Sequence, residues 1–147
     1  MEELVNKLKE TLADSFTFAL KAQSYHWNVI GSDFPQLHDF FGELYGEVQG
    51  AVDPIAEQIR QLDAFAPGTL ARMKELTSVS EDDKIPVALK MVENLIAAND
   101  VVMKSMTEAY EMAEEQKMFA LSNFLQDRLT AHSKHRWMLK ATAGQKT

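Results

Sequence analysis

Four residues in the first half of the chain carry side chains that commonly bind metal ions. His26 and His38 supply imidazole groups, while Asp53 and Glu57 supply carboxylates that are four residues apart, on one face if the segment is helical. Imidazole combined with carboxylate suits iron, manganese or zinc. The 147 residues include no cysteine, so a thiolate site is excluded. The four residues therefore form a candidate metal site.

The spacing of these residues requires two subunits if they bind one metal ion. His38 and Asp53 are 15 residues apart in the sequence, which corresponds to about 22 Å along a helix at about 1.5 Å per residue. Metal ligands must lie within about 2 Å of the ion. A second copy of the chain, antiparallel across a two-fold axis, could bring both ends of this helix to one ion. We therefore expect two symmetry-related sites between subunits.

The same residues also fit an interpretation without a metal. Asp53 precedes Pro54, and this order is typical of a helix N-cap followed by proline at the first helical position. His26 could be a hydrogen-bonded core residue, and His38 could lie on the surface. Under this interpretation the chain would be a helical structural or adaptor protein.

The other two histidines, His132 and His135, are three residues apart and could also bind a metal. Such residues more often form hydrogen bonds or carry positive charge in the C-terminal half of a helix. The usual di-iron motif of helix bundles has a glutamate three residues before a histidine. None of the 4 histidines has one, so a di-iron site inside a single bundle is not predicted.

Apolar residues recur every three or four positions along four long segments, which predicts four amphipathic helices. These segments are 5–27, 37–62, 88–113 and 118–138. Pro54 lies inside the second segment, but the pattern stays in phase across it, so we predict one bent helix there. Residues 63–68 break the pattern, and a short helix is predicted at 69–76. The chain is thus expected to fold as an all-α four-helix bundle, with a short helix between the second and third long helices.

Residues between these segments predict where the helices begin and end. Gly31 can adopt the left-handed conformation that follows a helix, and Pro35 suits a first helical turn. Residues 80–83, Ser-Glu-Asp-Asp, resemble an N-cap followed by acidic residues, which predicts the start of the third long helix. Gly144 is expected to follow the end of the fourth.

The composition indicates one acidic globular domain. The chain has a mass of 16.6 kDa, and its residues are 46% hydrophobic and 25% charged. The formal net charge of −7 disfavours nucleic-acid binding, which needs clustered cations, and favours the attraction of cations. No apolar run reaches the roughly 18 residues of a membrane span, and no signal peptide is visible. A cytoplasmic protein is therefore expected.

Four motifs together resemble the signature of the Dps family, the miniferritins named as DNA-binding proteins from starved cells. The motifs are Tyr-His-Trp-Asn-Val-Ile-Gly at 25–31, Phe-Pro-Gln-Leu-His-Asp-Phe-Phe at 34–41, Asp-Pro-Ile-Ala-Glu-Gln-Ile at 53–59, and His-Ser-Lys-His-Arg-Trp-Met-Leu-Lys-Ala at 132–141. The resemblance covers nearly the whole chain. It implies a single ferritin-like domain over residues 1–147.

The resemblance also implies an activity and an assembly. Members of the family form hollow dodecameric shells that oxidise Fe(II) with hydrogen peroxide or oxygen and store the ferric mineral inside, which protects against oxidative damage. By motif position, His26 and His38 of one subunit and Asp53 and Glu57 of its partner would form the ferroxidase site. Iron would be the metal, with zinc or manganese as possible replacements. A shell that coats DNA with little iron oxidation is the alternative within the family.

The sequence departs from the family pattern at three places. Many members have an acidic residue one helical turn after the second histidine, where this chain has Gly42. We therefore predict one tightly bound and one weakly bound iron at each site. Asn123 replaces an acidic residue near the expected three-fold pore, which Glu114 and Glu115 could line instead. No lysine-rich tail is visible, so strong DNA binding is not expected.

Overall fold

The computed structural model describes residues 1–145 and contains five helices in that range. They are α1 (Glu2–Asn28), α2 (Phe34–Gln61), α3 (Leu70–Leu76), α4 (Ala88–Glu115) and α5 (Phe119–Thr142). The four long helices form the bundle, and the short helix α3 packs against α1. The prediction of an all-α four-helix bundle with a short helix in its central connection is confirmed.

The apolar stripes of the four long helices meet in one continuous core. Phe18 of α1, Ile59 of α2, Leu95 of α4 and Leu125 of α5 are all fully buried. Burying one such side chain stabilises a fold by about 1.5–3 kcal/mol. Helix α1 packs against α2 and α4, and α4 packs against α5, whereas α2 and α5 contact each other at few points. The interior of the bundle is therefore filled with side chains.

Helix α2 runs without interruption through Pro54, as the phase of its apolar stripe predicts. Asp53 consequently lies inside a helix, and the interpretation of this residue as an N-cap is wrong. Pro35 lies in the first turn of α2, as predicted, where the missing N–H group costs nothing. One rigid element therefore carries His38 near its start and Asp53 in its second half.

The predicted N-cap at residues 80–83 is wrong, because α4 begins at Ala88. Asp82 instead accepts a hydrogen bond from the Tyr25 hydroxyl over 2.5 Å. Lys21 donates to the Ser80 carbonyl over 2.7 Å. These contacts reach almost sixty residues along the chain, and they fix this connection against α1 rather than starting a helix.

The two glycines predicted to lie beyond helix ends both adopt positive φ angles. Gly31 has a φ of 127° and follows α1, which ends at Asn28, while Gly144 has a φ of 78° and follows α5. Only glycine adopts such angles without steric cost. None of the helices within residues 1–145 is long and apolar enough to cross a membrane.

Candidate metal centre

The short connection between α1 and α2 brings His26 and His38 into direct contact. Their imidazole rings are stacked, with centroids 3.9 Å apart and planes inclined by 14°. Each residue also forms a hydrogen bond with the backbone of the other. His26 Nδ1 lies 2.6 Å from the His38 carbonyl oxygen, and His38 Nδ1 lies 2.7 Å from the His26 carbonyl oxygen. The last turn of α1 and the first turns of α2 are therefore joined through both histidines.

These two hydrogen bonds determine which nitrogen of each ring carries the proton. A carbonyl oxygen can only accept, so each Nδ1 must be protonated and donate. In a neutral imidazole the Nε2 atom then has a free lone pair, and Nε2 has no hydrogen-bond partner in either ring within the described residues. Backbone carbonyls commonly orient metal-binding histidines in this way. Both rings are thus prepared to bind a metal ion through Nε2.

Asp53 and Glu57 are exposed on the second half of α2 and are not brought to the histidines of the same chain. Because they are four residues apart in one helix, they share a face. Residues 1–145 contain no group of three or more potential metal ligands in a single chain. The structure therefore divides the four predicted ligands into a histidine pair and a carboxylate pair.

Exposed apolar side chains lie next to the histidine pair in the sequence, and one of them contacts it. Trp27 is 62% exposed and Ile30 is 80% exposed, while Phe34 stacks on the His38 ring with centroids 5.1 Å apart. Apolar groups clustered on a surface commonly mark a protein contact. This surface is where a second subunit could supply the carboxylates.

His132 and His135, the weaker candidates for metal ligands, both have hydrogen-bond partners inside the bundle. His132 is fully buried; its Nδ1 donates to Asn99 over 2.7 Å, and its Nε2 accepts from Arg128 over 3.1 Å. His135 Nε2 donates to Glu47 over 2.7 Å. With both nitrogens of His132 engaged, this side chain has no free lone pair for a metal ion.

Glu47, which is partly exposed, and the buried Arg128 complete this arrangement, and neither is identified in the sequence analysis. Arg128 donates two hydrogen bonds, of 2.6 and 3.0 Å, to the Glu47 carboxylate. We call Glu47, Asn99, Arg128, His132 and His135 the inter-helix polar cluster, because it joins α2, α4 and α5. The sequence does give a hint of both residues. Glu47 directly precedes the buried Val48 of the apolar stripe, and Arg128 lies between Leu125 and Leu129 of the fourth stripe.

Electrostatic interactions in the inter-helix polar cluster shift the pKa values of two members. The hydrogen bond from His135, together with the Arg128 guanidinium, holds the pKa of Glu47 well below its usual range. Burial, assisted by the nearby Arg128 charge, lowers the pKa of His132 to about 3. Glu47 is therefore ionised and His132 neutral at pH 7, which agrees with their hydrogen bonds.

Comparisons with known proteins agree with this fold. Residues 5–146 match the family model of the ferritin-like domain. The DNA protection during starvation protein of Brevibacillus brevis is 32% identical, over 91% of this chain and 90% of that protein. The structure of Dps from Staphylococcus aureus superposes with a TM-score of 0.92 at 30% identity, covering 97% of this chain and 96% of that chain.

A third comparison concerns the kind of metal chemistry. The Dps protein of Vibrio cholerae O1, described as a member of a broad superfamily of ferritin-like diiron-carboxylate proteins, superposes with a TM-score of 0.91 at 26% identity. It covers 95% of this chain, which spans 88% of that one. The fold defines a ferritin-like protein. Within that class, the chain belongs to the Dps family, as its motifs predict.

Proposed function

We propose that this protein oxidises Fe(II) at sites shared by two subunits and stores the ferric product inside a hollow shell in the cytoplasm. The observation that carries the proposal is the stacked pair of His26 and His38, whose Nδ1 atoms donate to each other's backbone carbonyls and leave both Nε2 atoms free. Such an arrangement presents two imidazole nitrogens to a borderline metal ion such as Fe(II).

The partner subunit would contribute Asp53 and Glu57. Both carboxylates are exposed, and neither forms an ion pair within residues 1–145, so both are available to a divalent cation. Since α2 is one continuous helix, the distance of about 22 Å along its axis from His38 to Asp53 rules out one shared ion in a single chain. Two antiparallel copies would form two equivalent sites, each with two imidazoles and two carboxylates.

The electrons released at these sites go to hydrogen peroxide or oxygen. One hydrogen peroxide accepts one electron from each of two Fe(II) ions and, with two protons, gives two water molecules and two Fe(III) ions. Removing peroxide and Fe(II) together would protect against oxidative damage. Imidazole and carboxylate ligands, unlike thiolates, do not react readily with peroxide.

Storage requires an assembly, because the interior of one bundle is filled by its own side chains. A dodecameric shell, as the family resemblance implies, would enclose the space that the ferric mineral needs. The net charge of −7 on each chain would be multiplied over the shell and would raise the local concentration of cations.

A second candidate function is protection of DNA by direct binding. The name of the Brevibacillus brevis relative, DNA protection during starvation protein, favours it. The net charge of −7 disfavours it, since binding to phosphates depends on clustered lysine and arginine. We therefore rank it below iron oxidation.

The test is the rate of Fe(II) oxidation, with either oxidant, in wild type and in the variants His26→Ala and Asp53→Ala. We expect each variant to lose at least about tenfold in initial rate, since each removes a ligand. Asp127→Ala is the matched control, because Asp127 is exposed on α5 and far along the chain from the four ligands. Equal rates in all four proteins would refute the assignment of the site.

A further inference from the structure

We infer that Gly42 is a positioning residue: its lack of a side chain leaves the space in which the His26 ring stacks on His38. A Cβ atom built on Gly42 would lie 3.0 Å from both Cε1 and Nδ1 of His26. The inference deepens the proposed function, because it concerns how the two metal-binding imidazoles are held.

The His26 ring has little freedom to move away from such a Cβ. Carbon atoms in favourable contact are about 3.5–4.0 Å apart, so the ring would have to shift by several tenths of an ångström. It is already fixed by the 2.6 Å hydrogen bond from its Nδ1 to the His38 carbonyl and by stacking on His38 at 3.9 Å. Any shift must weaken one of these contacts.

The other glycines of α2 show that backbone conformation is not the reason for glycine at position 42. Gly42, Gly46 and Gly50 are all helical, and none has a positive φ angle. A Cβ on Gly46 or Gly50 would meet no atom within 4 Å. Glycine is unfavourable inside a helix, and at position 42 the contact with His26 supplies a reason for it within the single chain.

Position 42 also follows His38 by one helical turn, where a side chain could itself reach a metal ion. Glycine gives that space to the His26 ring instead. The site consequently consists of an imidazole pair on one subunit and carboxylates on the other. In this chain, a side chain at position 42 would first have to move the His26 ring from its present place.

The experiment compares wild type with Gly42→Ala and with the control Glu43→Ala, using the assembled protein. Glu43 is adjacent to Gly42, but it is exposed and lies about 140° around α2 from His38. Co(II) alone is the probe, and its binding is followed by visible absorption. We expect Gly42→Ala to weaken Co(II) binding by about tenfold, the scale typical of residues that orient metal ligands. Glu43→Ala should bind Co(II) like wild type. Equal affinities for the two variants would overturn the inference.

A second measurement does not depend on metal. Alanine is favoured over glycine in a helix, so a glycine-to-alanine change that meets no steric obstacle should raise the thermal unfolding midpoint. Gly42→Ala should not raise it in wild type, but should do so in the His26→Ala background, where the ring is absent. The inference is wrong if Gly42→Ala raises the midpoint equally in wild type and in the His26→Ala background. It is also wrong if neither Gly42→Ala nor the double variant His26→Ala/Gly42→Ala folds.

The two measurements separate this inference from the proposed function. If wild type neither binds Co(II) nor oxidises Fe(II), the proposed function fails. The unfolding midpoints of Gly42→Ala, measured with and without the His26 side chain, then still decide whether the His26 ring needs the space at position 42. If wild type oxidises Fe(II), but Gly42→Ala binds Co(II) like Glu43→Ala and raises the midpoint equally with and without His26, only the role of Gly42 is lost.

Discussion

Replacing Glu47 by alanine tests how the inter-helix polar cluster joins α5 to α2. The Arg128 side chain is only 10% exposed, and its Nε atom is already buried without a partner. Arginine cannot release its proton to become neutral. Glu47→Ala therefore leaves a charged guanidinium unpaired in the bundle, at the place where α2 and α5 have few other contacts.

The size of the effect follows from the exposure of the two partners. Removing one member of a fully buried ion pair costs about 3–5 kcal/mol. The Glu47 side chain is 38% exposed, so water weakens the pair and we expect a loss of about 2 kcal/mol, below that range. Arg128→Met should cost less, about 1 kcal/mol, because methionine fills the space and Glu47 keeps both water and His135 as partners. Most of that cost comes from the buried His132 Nε2, which loses its donor.

The assay is thermal unfolding of both variants at equal subunit concentration. A loss of about 2 kcal/mol corresponds to a midpoint lowered by about 4–8 °C in a chain of this length. The control is Glu43→Ala, because Glu43 is exposed one turn earlier on α2 and should change stability by less than about 0.5 kcal/mol. The explanation would be refuted if Glu47→Ala lowered the free energy of unfolding no more than Glu43→Ala does. It would also be refuted if Arg128→Met lowered it more than Glu47→Ala does.

Three further predictions concern acid stability, metal occupancy and DNA. Burial lowers the pKa of His132 to about 3, so below about pH 6.5 the unfolded chain binds a proton at this residue that the folded chain does not bind. The free energy of unfolding should therefore fall by up to about 1.4 kcal/mol per pH unit between about pH 6.5 and pH 3. In urea titrations at several pH values, His132→Gln should make this pH dependence weaker. Crystals soaked in Fe(II) should show one well-occupied metal position and a weaker neighbour at each site, because Gly42 offers no ligand; two fully occupied positions would contradict this. With a net charge of −7, the protein should not retard duplex DNA in a gel at neutral pH and low salt, and a clear shift would show the reverse.

The sequence predicts the helices well because their stabilising pattern is local. The spacing of apolar residues by three or four locates α2 and keeps its phase across Pro54. It cannot place residues whose partners are distant in the chain. Asp82 looks like part of a helix start, but its hydrogen bond to Tyr25 connects residues 57 positions apart. Asp14 is a similar case, because it is buried and accepts hydrogen bonds from Thr77 and Ser78.

Residue type and spacing also identify the candidate ligands, but not their arrangement. That His26 and His38 stack and exchange hydrogen bonds depends on how tightly the connection folds α1 onto α2, which the residue types alone do not reveal. Gly42 shows the same limit, since its contact with His26 exists only after the two helices pack. That Asp53 and Glu57 approach the histidines stays a prediction, because those histidines would belong to another subunit.

Mixing His26→Ala and Asp53→Ala subunits tests most directly whether the site is shared between chains. In a mixed pair, the intact histidines of one chain face the intact carboxylates of the other, which restores one site of the two. Equal amounts of the variants, dissociated and reassembled together, should therefore recover about a quarter of the wild-type rate of Fe(II) oxidation if subunits pair at random. Each variant reassembled alone should stay nearly inactive. A mixture no more active than the average of the two variants would contradict a ferroxidase site built from two subunits.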